Sequence, residues 1–299
     1  MVSVHVDELG GRLPRSRPLA LAGRALGAVP PPLQILFGIL SVQVGASLAK
    51  QLFATAGAAG TVALRLFFAA VVLLLVWRPA LRLGRRAWPV VLAYGVVLAL
   101  MNLAFYQALA RVPQGIVVTI EFLGPLTVAL AGSRKLVDAV WALLAAGGVV
   151  LLAENRGDIS TVGLLFALGA AVCWGGYILL SAALGNRTSE GNGLALAMGA
   201  AAIAAMPVGI VETGTALLSP WLLLVGLAVA LLSSVIPYSL ELEALRKIPP
   251  HVFGVLMSLE PAVAALAGLV LLHESLHPLQ WVALCCVVAA SIGATRTAK

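Results

Sequence analysis

The strongest constraint on the fold is a succession of apolar runs, each close to the length of a membrane-spanning helix and nearly free of charge. A helix needs roughly 20 residues to cross about 30 Å of hydrocarbon. By that ruler the chain holds ten spans, near residues 33–54, 61–77, 88–109, 114–132, 137–153, 160–183, 192–211, 220–240, 250–271 and 277–295. Composition agrees: 61% of the residues are apolar and only 10% are charged, whereas a soluble domain carries about 25% charged residues. Such a deficit follows when most of the surface faces lipid. The expected fold is an all-α polytopic membrane protein, and the residues that demand an explanation are the few polar ones inside it.

The charges that do occur are unevenly placed. The stretch 1–32 carries Arg12, Arg15, Arg17 and Arg24 among several Pro and Gly. It reads as a disordered, solvated cytoplasmic tail, whose arginines can also rest on anionic headgroups. A cleaved signal peptide fits poorly, because the first apolar run begins late and is too long for an h-region. With the amino terminus inside, fifteen Lys and Arg fall on the inner side: those four, then Arg78, Arg82, Arg85, Arg86, Arg134, Lys135, Arg187, Arg246, Lys247, Arg296 and Lys299. Only Arg111 and Arg156 fall in outer loops. The asymmetry places both termini in the cytoplasm. No basic motif stands apart from the spans, so a nucleic-acid partner is not expected. Cys173, Cys285 and Cys286 lie inside apolar stretches and form no disulfide framework.

Sliding the chain on itself by 136 residues lays "ALARVPQGIVVTIEFLGPLTVALAG" (108–132) on "ALRKIPPHVFGVLMSLEPAVAALAG" (244–268), with Pro113, Pro125 and several small residues finding identical partners. Each half then has five spans, and an odd number forces the second half to insert upside down. The expectation is therefore two inverted five-helix repeats, 33–155 and 156–299, with a site near mid-membrane between them.

Several polar side chains fall within the spans. Gln43, Ser47 and Lys50 share one face of the first. Arg65 lies in the first turns of the second, and Asn102 and Tyr106 share a face of the third. Glu121 sits about 10 Å into the fourth at 1.5 Å per residue, and Glu260 lies centrally in the ninth. Both carboxylates stand close to the paired prolines, Pro125 and Pro261, each of which removes a helical hydrogen bond and frees a carbonyl. Either these carboxylates form structural ion pairs with Lys50 or Arg65, or they serve a substrate or a proton. Lys50 and Arg65 could equally snorkel to the outer interface. A buried charge costs at least ~2.5–3.5 kcal/mol on insertion scales, so a shared polar cavity is the more economical account of four such residues. Trp174 and Tyr177 on the sixth span belong either to that cavity or to ordinary packing, beside a "WGG" that admits a close neighbour. Trp77, Trp88 and Trp221 lie at span ends and read as interfacial anchors.

His273, Glu274 and His277 in "LLHESLHPLQW" have H-E-x-x-H spacing. Zinc chemistry needs both histidines on one face of a continuous helix, and Pro278 pushes His277 out of helical geometry. No metal site, enzyme activity or cofactor is expected, and the absence of a nucleophile elbow or a Walker loop points the same way.

The segments "QVGASLAKQLF", "PQGIVVTIEFLGPLTVALAGSRKLVDAVW", "PYSLELEAL" and "FGVLMSLEPAVAALAGLVLLHESL" resemble the EamA-type exporters of the drug/metabolite transporter superfamily, over about residues 33–295. "GASLAK" and "EFLGPL" favour the amino-acid-exporting branch. His273 stands where such sequences often carry glycine. The resemblance implies ten transmembrane helices in the bacterial inner membrane, alternating access, and a cavity drawn from spans 1–4 and 6–9. It implies export of small neutral amino acids, threonine and homoserine first. The alternative is export of aromatic amino acids or other metabolites and drugs on the same fold. On this reading Glu121 takes the substrate ammonium or a coupling proton and Lys50 or Arg65 meets the carboxylate. Gln43, Asn102, Tyr106, Trp174, Tyr177 and Glu260 complete the substrate- or ion-binding set, and lipid is the surrounding partner.

Overall fold

The computed structural model describes residues 29–79, 84, 87–131, 136–154, 160–185, 192–245, 247–248 and 250–297. The basic tail up to residue 28 and most of the loop cations that carry the orientation argument lie outside them. Among the described residues the chain is helical, with no strand. The helices are α1 (Pro31–Gln51), α2 (Phe53–Trp77), α3 (Trp88–Leu109), α4 (Gln114–Glu121), α5 (Leu123–Ala131), α6 (Leu136–Glu154), α7 (Thr161–Gly185), α8 (Asn192–Thr213), α9 (Pro220–Ala230), α10 (Ile236–Leu245), α11 (Pro250–Met257), α12 (Glu260–Leu272) and α13 (Pro278–Thr297). Among the described residues, seven helical stretches are long and apolar enough to cross a membrane. Three shorter apolar stretches, Gln114–Val128, Ala139–Leu151 and Pro278–Ala294, fall where the fourth, fifth and tenth spans were expected.

Proline chemistry explains where the helices break. A proline inside a helix cannot donate to the carbonyl four residues earlier and its ring crowds that carbonyl. Pro125 acts on Glu121, the last residue of α4, and Pro261 acts on Met257, the last of α11. Pro237 acts on Ser233, which lies in a π-helical turn at 231–235 separating α9 from α10. This third break was not expected, since 220–240 reads as one continuous span. A fourth irregularity lies in α2 at Gly57, whose φ of 64° interrupts the helix. The Glu212 side chain at the end of α8 accepts from the amides of Ala59 (2.5 Å) and Gly60 (3.3 Å), capping the resumed helix. The expected start of the second span, residue 61, therefore comes a few residues late.

α2 lies along α8, and α3 packs on both α7 and α8. α1 lies against α10, the π turn and α12. α4 crosses α12, α4 and α5 lean on α7, and α9 rests on α2. α6 and α13 pack mainly on each other, at the margin. In lipid, helix association depends on close backbone approach. Gly115 supplies it for α4 and α12: a Cβ there would stand 2.7 Å from both Cα and Cβ of Ala265. Outward-facing apolar side chains such as Val172, Ile203 and Val211 are more than three-quarters exposed, as suits a surface bathed in acyl chains.

Candidate functional site

The interior of the bundle holds a polar centre built from α1, α2, α3, α4, α12 and the π turn. Arg65 is buried in the middle of α2. Its Nη1 donates to the Tyr106 hydroxyl (3.0 Å), its Nη2 to the Ser233 carbonyl (3.1 Å), and its Nε lies 3.4 Å from Ser234 Oγ. The Ser233 carbonyl is the one Pro237 leaves without its helical partner, so the π turn presents an acceptor that the guanidinium takes. The guanidinium also lies 5.4 Å from the Tyr106 ring centroid, within cation–π range. Arg65 therefore does not snorkel to an interface, and neutral groups hold it in place.

Glu121 ends α4 and Glu260 opens α12, each at a helix break. Both are buried, and Glu121 lies within electrostatic range of Glu260 and Arg65. Gln43 Nε2 donates to Glu260 Oε1 at 3.1 Å. Glu260 Oε2 has no hydrogen-bond partner among the described residues, nor do they offer Glu121 a donor. A buried carboxylate oxygen left unmatched is costly and points to a group that arrives from outside. Neither carboxylate forms an ion pair with Lys50 or Arg65 among the described residues.

Lys50 stands elsewhere, at the end of the bundle where α1 turns into α2. Its Nζ lies 2.6 Å from Glu274 Oε1 and donates to the Val112 carbonyl (3.2 Å). Glu274 Oε2 accepts from the Gln114 amide at 2.7 Å. Residues 273–277 form no helix, and His273 is left-handed with φ 56°. The two histidines thus do not share a helical face.

A hydrogen-bonded relay joins this end to the centre. Gln114 Nε2 donates to Gln43 Oε1 (2.9 Å) and to the Gln43 carbonyl (3.0 Å), while Ser47 Oγ donates to Gln114 Oε1 (3.0 Å). Ser47 and Gln43, placed on one face by sequence, do face the same partner.

The aromatic residues fall beside the centre. Trp174 meets the Phe122 ring edge-on at 5.4 Å, next to Glu121 in sequence. Tyr177 lies 5.0 Å from Tyr94 in a tilted ring contact, and Tyr238 lies within electrostatic range of both. Asn102 is buried but donates to the Leu98 carbonyl of its own helix at 2.8 Å. The structure therefore brings Gln43 to Glu260 and Arg65 to Tyr106, sets Glu121 near both, and leaves Lys50 with Glu274 and Asn102 with its own backbone.

Sequence reading missed Gln114, Tyr94, Ser233, Ser234, Tyr238 and Glu241, the last within electrostatic range of Glu260. A signal existed for one of them: Pro237 marks Ser233 as a freed carbonyl. An apolar groove between α2, α8 and α9, lined by Leu64, Phe67, Met206 and Leu223 among others, offers a charged ligand nothing.

Comparisons with known proteins bear on the family and the fold. The EamA-like transporter family matches residues 161–296. The chain is similar to the threonine/homoserine exporter RhtA of Salmonella typhimurium strain LT2, 44% identical over 276 residues that cover 90% of this chain and 92% of that one. The threonine/homoserine exporter RhtA of Escherichia coli strain K12 is 44% identical over 272 residues, covering 89% of this chain and 91% of that one. One crystal structure, 20% identical, shares the fold with a TM-score of 0.59 over 89% of this chain and 98% of that chain. Likeness of this extent to curated relatives places the chain in the EamA-like transporter family, as a multi-pass membrane protein.

Proposed function

We propose that the protein exports threonine, homoserine and related small neutral amino acids across a bacterial inner membrane, alternating access between two inverted five-helix repeats. The observation that carries the chemistry is the pair of buried carboxylates, Glu121 and Glu260 Oε2, without donors, close to a fixed guanidinium. An amino acid offers the complement: its ammonium meets Glu121 and Glu260, and its carboxylate meets Arg65, whose remaining N–H groups are free to bond. Glu121 is also the candidate to carry a coupling proton. Lys50, engaged with Glu274, is the weaker choice for the substrate carboxylate. The 44% identity to exporters of threonine and homoserine supports the substrate class.

Support for ten spans in two repeats, 33–155 and 156–299, comes from the packing. Exchange each expected span with the one five places on, and the pairs α2–α8, α6–α13 and α4–α12 map onto themselves. α3–α7 maps onto α1–α10, α3–α8 onto α2–α9, and α4–α7 onto α1–α12; all of these contacts occur. The broken helices correspond as well, since Phe122 and Ser258 are 136 residues apart. With both termini cytoplasmic, the end holding Lys50 and Glu274 faces outward. A second reading, export of aromatic substrates, is favoured by the Tyr94, Tyr177, Tyr238 and Trp174 cluster.

The test is exchange of labelled threonine in proteoliposomes, challenged with unlabelled amino acids and drugs. Exchange of threonine with competition by homoserine supports the reading, whereas movement of aromatic amino acids alone would replace the substrate. Glu121→Gln is expected to lower exchange at least about 100-fold, the loss of a charge-assisted bond in a dry site. Near-wild-type exchange by that variant from pH 5 to 8 would remove Glu121 from the mechanism.

A further inference from the structure

The relay from Glu260 to Glu274 runs through Gln114, a side chain that the substrate reading does not use. Gln43 is the only hydrogen-bond donor to Glu260 among the described residues, and it accepts both bonds that Gln114 Nε2 donates. The Gln114 backbone amide in turn donates to Glu274, which holds Lys50. Gln114 opens α4, so its amide lies in the helix's first turn and has no acceptor within the helix. Its bond to Glu274 therefore exists only while the 273–277 connection is folded down onto α4. Lys50 adds α1 to the same junction, and its second bond, to Val112, adds the turn between α3 and α4. One carboxylate thus ties together three segments that must part if the outer face is to open.

We propose that Gln114 is a positioning residue that couples the carboxylate centre to an outer latch formed by Lys50 and Glu274, so that substrate binding at Glu260 loosens the latch. The inference rests on the transporter reading and its orientation. An ammonium that bonds the unpartnered Glu260 Oε2 neutralises the carboxylate and so weakens the bond that Gln43 donates to Oε1. A Gln43 side chain released from Glu260 withdraws Oε1, one of the two acceptors of Gln114 Nε2, leaving only the Gln43 carbonyl, and the start of α4 is held less firmly in register with Glu274. The latch has two discrete arrangements, closed with the amide bonded and open with it released, which is what coupling between distant groups requires.

The Gln114 amide is its own reporter. Full-length protein in lipid nanodiscs is followed by hydrogen exchange resolved to single amides, with and without saturating threonine. Threonine is expected to speed exchange at residue 114 at least about threefold in the wild type. Glu274→Ala is expected to speed it about tenfold without threonine, the scale of one lost charge-assisted hydrogen bond; Lys50→Met serves the same purpose if that variant does not fold. Gln114→Leu keeps the amide and cuts only the side-chain relay. Its unliganded rate is expected to rise about threefold, to that of the threonine-bound wild type, and the threonine response to disappear, whereas a merely structural role would leave a threonine response on top of the raised rate. A threonine response that persists in Gln114→Leu, or is absent from the wild type although labelled threonine is transported, overturns the coupling. Unchanged exchange in both Glu274→Ala and Lys50→Met overturns the latch. Failure of labelled threonine to exchange in the wild type would instead bring down the substrate reading, leaving the latch to be judged by its own two variants.

Discussion

Gly115→Ala tests whether the crossing of α4 and α12 sets the distance between the two site carboxylates. The added methyl would stand 2.7 Å from Cα and Cβ of Ala265, where carbons pack at ~3.5–4.0 Å, so the helices must separate by about 1 Å. Overpacking of this kind costs about 1–3 kcal/mol, against which alanine gains up to about 1 kcal/mol of helix propensity. The net expectation is a loss of up to about 2 kcal/mol, dominated by the clash because the facing atoms include main chain. Glu121 is six positions along α4 from the contact and Glu260 five positions before Ala265 on α12, so the displacement also reaches the site. The assay is thermal unfolding in detergent together with threonine exchange in proteoliposomes, with Gly147→Ala as control. Gly147 has no neighbour within 4 Å of its would-be Cβ, so its substitution is expected to leave stability equal or slightly raised and exchange unchanged. If Gly115→Ala unfolds at or above the wild-type temperature and transports normally, the crossing does not fix the site and the argument fails.

Two further substitutions probe the backbone. Pro237→Ala restores an amide able to recapture the Ser233 carbonyl, so Arg65 should lose that acceptor; threonine exchange is expected to fall about tenfold, the scale of one hydrogen bond to a charged group, with little loss of thermal stability. His273 holds a left-handed conformation, φ 56° and ψ 31°, which costs an L-residue about 1–2 kcal/mol and glycine far less. His273→Gly is expected to raise stability by about 0.5–1 kcal/mol after the entropy of glycine is set against that strain, seen as a higher unfolding temperature with exchange unaltered.

Much of the helical layout is legible in residue order because a lipid-facing helix declares itself by length and apolarity. The span read at 88–109 is α3 to the residue, and Pro125 and Pro261 announce the breaks beside Glu121 and Glu260. Pro237 carries the same information for the eighth span, where the uninterrupted apolar run before it concealed the break. Partner choice is another matter. Periodicity puts Gln43, Ser47 and Lys50 on one face of α1, yet nothing local says that Lys50 meets a carboxylate 224 residues away. Glu274 was read through its histidine neighbours and Gln114 as the start of an apolar span, so the relay that joins them to Glu260 stayed hidden until the helices were placed.

The hydrogen bonds of α1 have a consequence for how the protein is made. α1 leaves the ribosome ahead of the other described helices, carrying Ser41, Gln43, Ser47 and Lys50, but their partners are Leu232, Glu260, Gln114 and Glu274. At ~5–20 residues per second, Lys50 waits roughly 10–45 s for Glu274 to be synthesised. During that interval the first helix sits in or beside the bilayer with its hydroxyls and carboxamide short of their final partners and its ammonium, at the helix end, left to the interface. The nascent amino-terminal half is therefore an incomplete object that needs shelter from the insertion machinery, and its first helix can settle only when the last quarter of the chain has arrived.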